Sequence, residues 1–262
     1  VRLFEPGVTR AENLKNIQAN ISARTKVLAI SQITCTNGLK FPAEEIAEIC
    51  RARKIFYVLD GAQVLGMIPV DFQKLGCDFY TSSGHKWLLG PKGTGLLYVR
   101  NEMKDFWRPT QIGAYSEREY ILENLKLDIG RTARSVEYGT RNTPMILGIG
   151  AALDFLDAIG MEHVAERGFT LASYLKEKLR SINNVQVITP MEPDSSSSIV
   201  SFRILDKEKS HGELTGQFRQ EYNIRLRPVG EYGLNAIRAS LHIYNNFEQV
   251  DRLIAAVKAI AA

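Results

Sequence analysis

Ser82, Ser83, His85 and Lys86 fall within one stretch, TSSGHKWLLGPKGTGLLYVR (residues 81–100), just ahead of Trp87 and a glycine-rich run. Upstream, DGAQ adds a carboxylate, Asp60, and an amide, Gln63. A lysine in such company has three chemistries open to it: a solvated surface charge, a phosphate-binding charge, or an amine nucleophile that forms a Schiff base with a carbonyl. Spacing alone leaves all three standing.

Those residues need elements to hold them. KVLAIS (26–31) and IFYVLD (55–60) are short apolar runs with polar ends, and between them PAEEIAEICRARK reads as a helix with Pro42 suited to its first turn. Strand, helix and strand in that order favour a parallel pair. DFYTSS adds a strand, and TGLLYVR another after a glycine turn. Ser31 and Gln32, Asp60, and Ser82 with Ser83 then lie at successive strand ends, outside which open α/β sheets bind ligands. Gly93 and Gly95 read as a tight turn, because GPKGTG lacks the strand, loop, lysine and helix order of a nucleotide-binding loop.

From Pro144 onward the apolar spacing becomes helical, with Ile146, Ile149, Leu153 and Leu156 marking one face. A second helix follows through Leu171, Leu175 and Leu179, and PMEPDSSSS (190–198) reads as a surface loop. SIVSFRI, NIRLRPV and NAIRASL read as strands, with helices near 212–222 and 247–260. The expected fold class is α/β: a mainly parallel large domain over residues 1–145, then a connecting helix and a smaller α/β domain over 146–262.

Composition narrows the partners. The chain of 262 residues is 45% hydrophobic and 24% charged, ordinary for a folded soluble protein. Its net charge of +4 is spread without a basic block, so neither a nucleic-acid groove nor a polybasic membrane anchor is indicated. No apolar run has the length of a spanning helix and the opening is not signal-like, which makes a cytoplasmic location the default. Cys35, Cys50 and Cys77 lack metal-ligand spacing and read as buried reduced thiols. His163, His211 and His242 read as structural, Trp87 as a packing residue, and no metal site is expected. The chain opens at Val1 on a loop and helix that feed a buried strand, like the middle of a fold.

The run from DGAQ to GHKW, with SVEYGTRNTP and AIRASLHIYNN further on, resembles the class V aminotransferase family. Its members are fold-type I enzymes that use pyridoxal 5'-phosphate, among them cysteine desulfurases and isopenicillin N epimerase-like proteins. The resemblance implies that Lys86 forms a Schiff base with the cofactor aldehyde and later shuttles protons, while Asp60 pairs with the pyridine nitrogen. It implies that Gln63 meets the phenolic oxygen and that Ser83 and His85 contact the phosphate. Thr140 matches the residue that in family dimers reaches the neighbouring subunit's phosphate, and Gln32 stands where relatives often carry asparagine or histidine beside the cofactor. Arg238 matches the arginine that grips the substrate α-carboxylate, a task suited to its planar fork.

Two departures shape the expectation. Desulfurases of the family carry a reactive cysteine shortly before that arginine, whereas RLRPVGEYGLNAIRAS has none, and Cys35 follows a different strand. The alternation of Arg225 and Arg227 is instead similar to the epimerase-like branch, and Arg227 is a candidate for a second acidic group on the substrate. The family also has a segment before the point matching Val1, which supplies a phosphate-binding turn and the side chain that stacks on the ring. The resulting expectation is a homodimeric pyridoxal-phosphate enzyme acting on an amino acid, with epimerisation or elimination ahead of transamination and of desulfuration. The alternative is a non-catalytic or truncated relative that keeps the fold for binding or assembly.

Overall fold

Four strands build the first sheet: β1 (Val27–Ser31), β2 (Phe56–Asp60), β3 (Phe79–Ser83) and β4 (Gly95–Val99), side by side in that order. The computed structural model describes residues 1–121, 123, 126–205 and 209–262. β1, β2 and β3 are parallel, and Ser31 lies opposite Asp60, which lies opposite Thr81. β4 turns back antiparallel to β3 after Gly93, whose φ of 82° suits the glycine turn. All three parallel strands therefore end together, and their polar terminal residues share one rim.

Helices follow from local signals. α1 (Arg10–Asn20) opens with a capping box in which the Thr9 hydroxyl accepts from the Glu12 N–H and Glu12 accepts in return from Thr9. α2 (Ala43–Ala52) joins β1 to β2, and its Ile46, Ala47 and Cys50 pack on Tyr57 and Leu59 of β2. Pro42 is its N-cap, one place ahead of the first turn expected for it. The short α3 (Phe72–Leu75), between β2 and β3, has Asp71 as a cap at its start and left-handed Gly76 at its end. A small hairpin, β5 (Glu119–Ile121) with β6 (Lys126–Asp128), precedes the long helices.

α4 (Thr143–Ile159) and α5 (Met161–Arg180) meet at Gly160, whose φ of 88° makes the break. The second sheet follows, with β7 (Val185–Val187), β8 (Ile199–Ile204), β9 (Arg227–Val229) and β10 (Ala236–Ser240) in the order 7-8-10-9, all antiparallel. α6 (His211–Tyr222) and α7 (Phe247–Ala261), both begun by capping boxes, cover it together with α5. Leu171 and Leu175 meet Val200, Phe202, Ile237 and Val257 in that core. Among the described residues no single helix is long and apolar enough to cross a membrane.

Several expectations change here. PMEPDSSSS is not a surface loop along its length, because Ser195, Ser196, Ser197 and Ser198 are all buried. Hydroxyls tolerate that burial where they find partners: Ser197 donates to the Gly38 carbonyl (2.8 Å), and Ser196 receives the Lys176 ammonium at 3.0 Å. Of the face on α4, only Leu156 is buried, while Ile146 and Leu153 stand exposed. β1 is an edge strand with Val27 exposed, not the buried strand expected. NIRLRPV is extended as a strand only over Arg227–Val229. Cys50 and Cys77 are buried, and burial pushes their thiols up to about 12 and about 11, so they are poor nucleophiles. Cys35 is exposed.

The loop after β1 is clamped by the second sheet and by the turn that leads into β8. Ser201 donates to the Thr36 carbonyl at 2.6 Å, the Lys40 N–H donates to the Ser195 carbonyl at 3.0 Å, and Arg238 Nη1 donates to the Cys35 carbonyl at 2.6 Å. These bonds bring β10 to the rim where the parallel strands end.

Candidate active site

A cavity of about 270 Å³ opens at that rim, lined by Gln63, His85, Lys86, Trp87, Arg238, Ser240, His242 and Tyr244. A larger one, about 560 Å³, lies between β4 and residues 104–136 and contains none of the candidate residues. The smaller cavity is the one where titratable groups from both sheets converge, the expected mark of a site.

Lys86 is exposed and belongs to the turn that follows β3. That turn is closed by the Gly90 N–H on the Gly84 carbonyl (2.8 Å), and the Leu89 N–H bonds the Lys86 carbonyl (3.1 Å). Gly66 underlies it. Its φ is +89°, and a Cβ there would stand 2.2 Å from the Trp87 carbonyl oxygen, so the lysine turn rests where only glycine leaves room. Trp87 is buried and its indole N–H donates to Gln63 Oε1 at 2.9 Å. With Oε1 taken, the Gln63 amide N–H2 is the part left for a ligand.

His242 closes the wall. Its Nε2–H donates to the Trp87 carbonyl (2.8 Å), and its Nδ1 accepts from the Ile243 N–H (2.7 Å). Those two partners fix one neutral tautomer, and burial pushes the imidazole below its ordinary 6.5. The ring stacks between Trp87 and Tyr244, with centroids 5.3 and 5.0 Å away.

Arg238 reaches the cavity from β10. Burial first, then the neighbouring Arg227 guanidinium, lowers its affinity for the proton. Its Nε is buried without a partner among the described residues. Arg227 lies opposite it on β9 and pairs with Glu231.

The other sequence candidates stand apart from the cavity wall. Asp60 ends β2 with its carboxylate held by the Ala62 N–H (2.8 Å) and the Ser31 hydroxyl (3.2 Å). Ser83 ends β3, one residue from the Lys86 turn. Gln32 is buried, and its Oε1 accepts from the Tyr80 hydroxyl at 3.0 Å. Thr140 is exposed in the turn before α4. Sequence reasoning took His242 as structural and attached no role to Ser240 or Tyr244. A period of two puts Arg238 and Ser240 on one face of β10, but β10 ends at Ser240, and the turn closed by the Asn245 N–H on the His242 carbonyl, not strand alternation, carries His242 and Tyr244 to the wall.

Comparison with known proteins gives the same outline. The family model for aminotransferase class-V matches residues 1–253. A cysteine desulfurase of Cronobacter sakazakii is 32% identical over 255 residues, covering 92% of this chain and 60% of its own length. The isopenicillin N epimerase of Amycolatopsis lactamdurans is 32% identical over 250 residues, covering 93% and 62%. The structure of a cysteine desulfurase from Thermococcus onnurineus NA1 superposes with a TM-score of 0.88 at 24% identity, over 99% of this chain and 66% of that one. The chain thus has the α/β fold of the fold-type I pyridoxal-phosphate enzymes, and spans about 60% of the length of the curated relatives it matches.

Proposed function

The chain belongs to the aminotransferase class-V family, and from that premise we propose that it is a pyridoxal 5'-phosphate enzyme acting on an amino acid, with Lys86 as the amine that anchors the cofactor. The observation that carries the reading is the convergence of Lys86, Gln63, His85 and Arg238 on one cavity at the strand ends. The donor set fits the group: an accessible amine, an amide N–H2 left over by the Trp87 bond, and a guanidinium whose Nε has no partner among the described residues.

When bound, pyridoxal phosphate supplies an aldehyde for amines and a ring that takes up the electron pair released at the substrate's α carbon. Lys86 presents its amine from a turn fixed by Gly66 and Trp87, and then carries a proton to or from that α carbon. Asp60 keeps a proton on the pyridine nitrogen, its carboxylate pre-set by Ala62 and Ser31. Gln63 donates to the phenolic oxygen, Ser83 and His85 hold the phosphate, Gln32 stands beside the cofactor, and Thr140 reaches the phosphate of the neighbouring subunit. Arg238 binds the α-carboxylate. Trp87, His242 and Tyr244 keep water off one side of the cavity.

Epimerisation or elimination is preferred to transamination. Desulfuration is disfavoured, because residues 230–235 between β9 and β10 hold no cysteine. The active unit is a homodimer, a reading supported by the exposed Ile146, Leu147, Leu153 and Phe155 of α4. A second reading, a non-catalytic relative that retains the fold, draws on the position of Asp60, Ser83, Gln32 and Thr140 off the cavity wall. Titration with pyridoxal phosphate, read by visible absorbance, tests the choice: a saturable band that disappears in Lys86→Ala supports the enzyme. Incubation with amino acids in D2O then separates the reactions, since α-deuteration with inversion marks an epimerase and release of ammonia marks a lyase. No band at saturating cofactor sinks the enzyme reading.

A further inference from the structure

β9 and β10 place Arg227 directly opposite Arg238. Residues so paired hold their Cβ atoms about 5 Å apart, and like charges there repel. The surroundings answer only part of that charge. Arg227 meets the Glu231 carboxylate, and Arg238 meets the neutral Cys35 carbonyl. Arg227 Nη1 and Arg238 Nε are both buried without a partner among the described residues. Two guanidinium groups therefore share a single carboxylate, and each retains an unanswered N–H.

Glu231 reaches Arg227 by way of a tight loop. Tyr232 (φ 55°) and Asn235 (φ 41°) both take the left-handed conformation that non-glycine residues rarely adopt. Its own backbone N–H, then Arg227, holds the Glu231 carboxyl below the usual carboxylate range. The pair is more than a third exposed on both sides, so it is readily displaced. Arg225, by contrast, is exposed and faces a separate groove with Asn245 and Arg252.

We propose that Arg227 and Arg238 form a two-pronged acid subsite, that the amino-acid substrate carries a second acidic group close to its α-carboxylate, and that Glu231 occupies the place of that group in the free protein. This rests on the assignment of the Lys86 cavity to an amino acid. Arg238, on the cavity wall, takes the α-carboxylate, and the second acid displaces Glu231 from Arg227. Each guanidinium then gains the partner that its buried N–H lacks.

Calorimetric titration of the chain with succinate and with butyrate, acids of equal carbon number, tests the pair without any turnover. Succinate binds about tenfold tighter, the equivalent of one charge-assisted hydrogen-bonded pair. Arg227→Gln removes that preference while butyrate affinity holds, which also shows that the variant is folded. Arg225→Gln removes the same formal charge and keeps the preference. Equal affinities in the parent chain, no saturable binding of either acid, or a preference that survives Arg227→Gln overturns the subsite. Borohydride trapping of pyridoxal phosphate on Lys86 is run in parallel. An adduct without acid preference removes the subsite alone, and acid preference without an adduct removes the cofactor assignment alone.

Discussion

Lys176 lies on α5 with only 2% of its surface exposed, its ammonium donating to the Pro190 carbonyl at 3.1 Å and the Ser196 hydroxyl at 3.0 Å. Lys86 stands exposed in the turn after β3, on a cavity wall shared with Gln63, His85 and Arg238. Burial pushes Lys176 below its ordinary 10.5, and a serine hydroxyl sits beside it. By chemistry alone the pair resembles an activated nucleophile. It is closed off from solvent, however, and the segment that holds it is pinned to the loop after β1, where Ser197 donates to the Gly38 carbonyl and the Lys40 N–H donates to the Ser195 carbonyl. Access and convergent ligands, more than a perturbed environment, distinguish a working lysine from a structural one.

Removing the buried lysine is the strongest way to test the contrast. Lys176→Ala leaves a cavity and two unsatisfied acceptors, and urea unfolding is expected to show a loss of roughly 2–4 kcal/mol. The unfolded chain binds the Lys176 proton more tightly than the fold does, so stability rises with pH through the window just below 10.5. Lys176→Met flattens that rise. A Lys176→Ala variant of unchanged stability breaks the comparison.

The next effect concerns the support of the Lys86 turn. Gly66→Ala forces a Cβ against the Trp87 carbonyl and a left-handed φ on alanine, with an expected cost of roughly 1–3 kcal/mol. Mapping by hydrogen exchange places the loosening at residues 84–90. The smallest effect is that of His242. Its folded form resists protonation, so on acidification below 6.5 the unfolded chain takes up a proton that the fold refuses, and stability falls as pH falls. His242→Gln keeps a ring-sized polar group and shows a weaker fall over that window.

The parallel strands, the two long helices and the polar strand ends were all legible, because each rests on local periodicity and short connections. Strand ends gathering at one rim made GHKW and DGAQ candidates, but their spacing left the chemistry of Lys86 open, and the roles came from the family resemblance. PMEPDSSSS could not be read correctly. Serine-rich segments are exposed by default, and the Gly38 carbonyl and the Lys40 N–H, over a hundred residues away in sequence, are what hold this one buried. The same holds for the Arg227–Arg238 register, since the alternation of Arg225 and Arg227 on one strand says nothing of which one faces β10. On α4 the helical period was visible, but which apolar side chains find cover depends on what packs against them, and Ile146 and Leu153 stay exposed.

Borohydride reduction after incubation with pyridoxal phosphate, followed by peptide mass mapping, sets the two lysines against each other in one sample. The account predicts a stoichiometric pyridoxyl adduct on Lys86, none on Lys176, and loss of the adduct in Lys86→Ala with stability within about 0.5 kcal/mol of the parent. Label scattered over surface lysines, with no enrichment at Lys86 in the folded chain, contradicts it.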